Sequence, residues 1–104
     1  MKYIAVFITT GSEAEAAKIA RSLVKAELAA CVSIIRQVRS VYRWKGKVED
    51  SGECLLIAKT KRGLFGALER SVRRMHSYEC PEIIAIPVNS GSKGYLSWIS
   101  DSTK

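Results

Sequence analysis

The sequence of 104 residues is poor in the residues that build metal centres and covalent staples, with one histidine, His76, and three cysteines. Cys31, Cys54 and Cys80 are odd in number and show no C-x-x-C spacing, which argues against a disulfide framework and against a zinc site held by one chain alone. No apolar run approaches the roughly 20 residues of a membrane helix. Lys2 leads directly into strand-like sequence instead of a signal peptide, so a cytoplasmic protein with no membrane partner is expected. Also missing are G-x-S-x-G, a phosphate loop, a metalloprotease helix and paired carboxylates in an apolar setting. A Cys80 nucleophile would have only His76 as its base, with no third group to orient it. No enzyme is expected. Without repeats, low-complexity segments or linkers, residues 1–104 form one domain.

What is present is organised around residues 30–60. Val32, Ile34, Ile35, Val38, Val41, Tyr42 and Trp44 make one strand-like run, and Val48, Leu55, Leu56 and Ile57 make another. Lys45-Gly46 lies between them, where glycine supplies the positive φ of a short hairpin loop with a bulge. Each arm has about fourteen residues, or about 45 Å at 3.3 Å per residue, so part of the ribbon must project beyond a small domain's core. Its base is apolar, whereas its tip mixes Arg39, Arg43, Lys45, Lys47, Glu49 and Asp50 with Val41, Tyr42, Trp44 and Val48. An exposed ribbon of this kind invites association, and cover by other copies of the chain is expected, with Val41, Tyr42, Arg43 and Trp44 at the interface.

The remaining elements fall either side of the ribbon. Lys2–Thr9 reads as a central strand. Ser12 can cap the amide of Glu15 while Glu15 reaches back, which starts a helix with Ala16, Ile19, Ala20, Leu23 and Val24 on its apolar face. A second helix within 60–75 aligns Leu64, Phe65, Leu68, Val72 and Met75. Pro81 keeps 76–81 a loop before a strand at 82–88, with Pro87 at its end or on an edge. Ser92 caps a short last helix whose apolar side is Tyr95, Leu96, Trp98 and Ile99. This order is an α+β, ferredoxin-like βαββαβ layout whose two helices cover one face of a four-stranded antiparallel sheet.

The net charge of +7 permits an anionic partner. RNA-recognition domains share the layout, but they stack bases on aromatics in the first and third strands, and the third strand here reads Cys54-Leu55-Leu56-Ile57-Ala58. No nucleic-acid partner is expected.

Five stretches in this order resemble the CutA family of divalent-cation tolerance proteins. They are Ala29-Ala30-Cys31, the tip Tyr42 to Glu49, Lys59-Thr60, His76-Ser77-Tyr78 with Pro81-Glu82-Ile83-Ile84, and Tyr95 to Ile99. The resemblance implies a homotrimer of PII-like architecture with its hairpins packed between subunits. It also implies a link to copper and other divalent metals instead of a catalytic reaction. Some bacterial members carry a cysteine near the end of the first strand and two adjacent histidines after the second helix as proposed copper ligands. Here those positions hold Thr9 and Met75-His76. Weak binding of copper or another divalent cation is expected through His76, aided by Met75 or Cys80, with no organic cofactor. An alternative reading is a PII-like sensor that receives a small anionic metabolite in a cleft between subunits, formed by Lys59, Glu49, Tyr78, Tyr95 and Trp98.

Overall fold

Alternation decides the first strand: Ile4, Val6 and Ile8 are buried while Tyr3, Ala5 and Phe7 between them are only partly so. In the computed structural model, which describes residues 2–104, β1 is Tyr3–Thr10. It is followed by α1 (Glu13–Lys25), β2 (Cys31–Trp44), β3 (Lys47–Lys61), a 3-10 turn (Arg62–Leu64), α2 (Phe65–Met75), β4 (Ile83–Pro87) and α3 (Lys93–Asp101). The sheet order is β2-β3-β1-β4 and every pairing is antiparallel. This is the expected ferredoxin-like arrangement.

The core lies on one face only. Ala16, Ile19, Ala20 and Leu23 of α1 and Leu68 and Val72 of α2 pack against Ile4, Val6 and Ile8 of β1 and Leu56 and Ala58 of β3. On the opposite face Phe7, Leu55 and Ile57 are partly buried, and Ile35, Ile84 and Ile86 are 46%, 52% and 43% exposed. The two helices leave these side chains bare, since a sheet has two faces and the helices are on one. The third helix seals only an edge of the domain, where Ile99 is buried, the Tyr3 hydroxyl meets Ser100 Oγ at 2.6 Å and the Lys104 amide donates to Glu27 O at 3.1 Å.

The ribbon has arms of 14 and 15 residues, and the molecule is 44 Å along its longest axis. Trp44 pairs with Lys47, leaving only Lys45 and Gly46 in the loop. Their φ values of 50° and 80° are both positive, as a type I′ turn requires and as the right-handed twist of the arms favours. The bulge expected at this tip lies instead nearer the base, where the register shifts between Ile35 and Val38 and Gln37 takes φ 61°. Above the bulge the ladder runs unbroken from Val38–Glu53 to Trp44–Lys47, and on its surface Arg39 donates to Asp50 through two hydrogen bonds of 2.9 and 2.7 Å.

Other expectations are corrected. Val24, placed on the apolar face of α1, is 43% exposed. The helix expected from residue 60 starts at Phe65 because β3 continues to Lys61 and a 3-10 turn follows. Ser92 occupies the N-cap of α3 but its side chain makes no capping hydrogen bond. Tyr95 and Trp98, assigned to a packing face, are exposed and lie against each other with centroids 5.4 Å apart. Pro87 does end the edge strand β4.

The three thiols also differ in setting: Cys54 is buried, Cys80 exposed, and Cys31 half-buried beside Lys59 Nζ at 3.8 Å. Alkylation of the native protein, followed by peptide mass spectrometry, is expected to label Cys80 first, Cys31 next and Cys54 last. Labelling of Cys54 ahead of Cys31 would contradict this packing.

Candidate functional site

The loop after α2 is held down by three consecutive residues, His76, Ser77 and Tyr78. His76 ends the helix, its amide donating to Val72 O at 2.9 Å. Its side chain is fully buried; Nδ1 accepts from the Tyr78 amide at 3.0 Å and Nε2 lies 2.6 Å from the Thr9 carbonyl. A carbonyl can only accept, so these partners assign the neutral tautomer with its proton on Nε2. Both ring nitrogens are thereby engaged. Ser77 donates through its amide and hydroxyl to Glu15, at 2.7 and 3.1 Å. Ser12 does cap the Glu15 amide at 3.2 Å, but the reciprocal half of the expected capping box gives way to this tie to Ser77. Burial alone would raise the pKa of Glu15, yet the two Ser77 hydrogen bonds outweigh it and hold the carboxyl below its ordinary value.

Tyr78 turns the other way. Its hydroxyl donates to Glu53 Oε2 at 2.8 Å, and it passes over Gly11, where an added Cβ would come 3.1 Å from the hydroxyl. Burial and the neighbouring Glu53 carboxylate push the Tyr78 phenol well above its ordinary range. Glu53, in β3, is only 8% exposed. Glu82 is raised by its own burial and by the charge of Glu53. These groups border a cavity of about 840 Å³ between the loop and the ribbon, whose other walls include Tyr42, Arg43, Trp44 and Cys80. Lys45, at the tip, reaches to 3.7 Å from Glu79 of the loop.

This geometry separates the three residues expected to meet a metal. The His76 ring points to backbone groups, Met75 packs partly buried against the core, and Cys80 is exposed on the cavity wall. Among the described residues, no group of three or more His, Cys, Asp and Glu side chains is placed to hold a metal ion. Of the five expected cleft residues, Tyr78 borders the cavity and Glu49 pairs with Tyr42 in the ribbon. Lys59 binds Ser33 Oγ at 3.0 Å, ten residues from Glu49 and thus about 33 Å along the strand. Tyr95 and Trp98 are on α3. Within one chain these five do not meet. Val41, Tyr42 and Trp44 are 63%, 41% and 38% exposed, and Arg43 is exposed with them. Sequence reasoning gave Glu15 only as a helix cap and missed its tie to Ser77, and it missed the roles of Glu53 and the Thr9 carbonyl altogether. Only Glu53 carried a signal, as a charge that strand alternation puts on the same face as Leu55 and Ile57.

A ferredoxin-like domain with an over-long β2–β3 ribbon and a loop tied beneath it defines the class of small α+β proteins to which the chain is assigned. The model of the CutA1 divalent ion tolerance protein family matches residues 4–102. Protein CutA of Mus musculus is 45% identical over 96% of this chain and 56% of its own length. The chloroplastic Protein CutA of Arabidopsis thaliana is 43% identical over 97% and 56%. The solved divalent cation tolerance protein of Thermus thermophilus superposes with a TM-score of 0.96 at 41% identity, covering 98% of this chain and 99% of that one. The chain belongs to the CutA1 divalent ion tolerance family, and spans about half the length of the curated mouse and plant relatives it matches.

Because Glu15 titrates below its unfolded value of 4.5, its hydrogen bonds support the fold fully above that pH, and the support is lost as pH falls through the folded value. Glu15→Gln is expected to cost about 1 kcal/mol at neutral pH and to flatten the acid limb of stability against pH in urea unfolding. An acid limb as steep as the wild type's would remove Glu15 from this role.

Proposed function

We propose that this chain acts in divalent-cation tolerance as a non-enzymatic cytoplasmic homotrimer, with the ribbons and uncovered sheet faces packed between subunits. The observation that carries the reading is the apolar sheet face bearing Phe7, Ile57, Ile84 and Ile86, continued by the exposed Tyr42 and Trp44 of the ribbon. A monomer would leave this surface in water, and threefold packing would bury it without leaving the ribbon edges open. The name of the family and the names of its members support the link to divalent cations.

Metal contact in this reading is weak and open. Cys80 is the accessible soft donor on the cavity wall, and a single protein ligand suits copper only at low affinity. His76 would have to give up its hydrogen bonds to Thr9 and Tyr78 before it could bind a metal. Its part is therefore to hold the loop that carries Cys80, and Met75 anchors the same loop to the core.

Light scattering at micromolar concentration is expected to give three times the 11.5 kDa chain mass. Trp44→Ala should loosen the assembly by about 2 kcal/mol, the usual worth of a buried interface aromatic. A monomeric wild type would overturn the trimer. In copper titration, binding is expected to be detectable without raising the melting temperature, and to fall more with Cys80→Ser than with His76→Ala. A His76→Ala protein that keeps its fold but loses copper, beside an unaffected Cys80→Ser, would make the imidazole the direct ligand.

A further inference from the structure

We propose that Arg62 centres a binding site for a phosphate-bearing anion, at the end of the sheet away from the ribbon tip. Two concavities share this residue. One, of about 710 Å³, is lined by Lys2, Lys61, Arg62 and Lys104 over Gly63 and Leu64. The other, of about 680 Å³, sets Arg62 beside the apolar surfaces of Ile4, Phe65, Ala85 and Pro87, with Gly66 in its wall. A second guanidinium flanks it, for the Arg70 Nη1 lies only 3.4 Å from where a Cβ on Gly66 would stand.

No ion pair of the described residues involves Lys2, Lys61, Arg62, Arg70 or Lys104; other exposed cations such as Arg21 and Arg74 are unpaired too, but Lys2, Lys61, Arg62 and Lys104 are gathered around one concavity. The unpaired cations are also mounted on fixed backbone. The Arg62 amide donates to Lys2 O at 2.8 Å, Val88 to Tyr3 O at 3.0 Å, and Lys104 to Glu27 O at 3.1 Å. Mutually repelling positive groups held together in this way create a positive potential that a counter-charge relieves. A group with two or more negative charges and several acceptor oxygens relieves it best, because each ammonium or guanidinium donates charge-assisted hydrogen bonds. The apolar concavity on the other side of Arg62 suits the organic part of a phosphate ester. The site is complete within one chain and does not depend on the trimer or on metal binding.

Inorganic triphosphate and phenyl phosphate, each titrated into the full chain by calorimetry, separate an inorganic polyphosphate from a phosphorylated metabolite as the source. Saturable binding of either one is expected, weakened about tenfold or more by Arg62→Ala, less by Lys61→Ala, and retained in part by Arg62→Lys. Lys47→Ala removes the same charge at the opposite end of β3 and is expected to leave affinity unchanged. Melting temperatures of the variants show that the fold is kept. The proposal is overturned if neither probe saturates, if Arg62→Ala and Lys61→Ala bind like the wild type, or if Lys47→Ala loses as much as Arg62→Ala.

Discussion

A four-stranded sheet with two crossover helices can cover only one of its faces, and most of what distinguishes this chain follows from that constraint. Ile4, Val6, Ile8, Leu56 and Ala58 are shielded by α1 and α2, while their strand neighbours Phe7 and Ile57 are left to whatever else is available. Packing a side chain such as Ile or Phe is worth about 1.5–3 kcal/mol relative to exposure, so a face carrying several is a strong driving force for association. The ribbon extends that face. Its upper half is outside the domain core, and its geometry comes from the backbone ladder of the two arms and the I′ turn at Lys45-Gly46 instead of from burial.

The loop below the ribbon is governed by a different kind of force. His76, Ser77 and Tyr78 each reach a separate part of the fold: the end of β1, the first turn of α1, and Glu53 in β3. Three consecutive residues thus tie the end of α2 to elements far away in sequence, using polar contacts where the core between helices and sheet relies chiefly on apolar packing. Buried polar groups cost little when each has a partner, and much when one is removed. The histidine that looked available as a ligand is committed to this closure.

The elements were legible because their signals are local. The alternation in β1, the Ser12 cap and the apolar stripe of α2 need only near neighbours to be read, and the βαββαβ order then limits the topology. What failed depended on distant partners. Glu15 satisfies the sequence rule for a capping box, but Ser77, some sixty residues on, competes for its oxygens with a better geometry. The bulge was placed at the glycine because glycine tolerates positive φ, whereas Gln37 adopts it where the registers of the two halves of the ribbon must be reconciled. Tyr95 and Trp98 have helical spacing that reads as core, yet a helix laid over the edge of the domain buries only Ile99. Periodicity says which residues share a face and not whether that face is covered.

Charge follows the same division between the two ends of the sheet. Glu53, Glu79 and Glu82 gather at the ribbon side, whereas Lys2, Lys61, Arg62 and Lys104 gather at the other, so β3 begins its buried portion beside a carboxylate and ends among cations. At roughly 3.3 Å per residue the eight steps from Glu53 to Lys61 span about 26 Å, more than twice the screening length at physiological salt. The two ends therefore act as independent electrostatic surfaces, one where carboxylates are mixed with Arg43 and Lys45 and one that is cationic. A net charge of +7 conceals this arrangement, because a sum over the chain says nothing of where the charges lie.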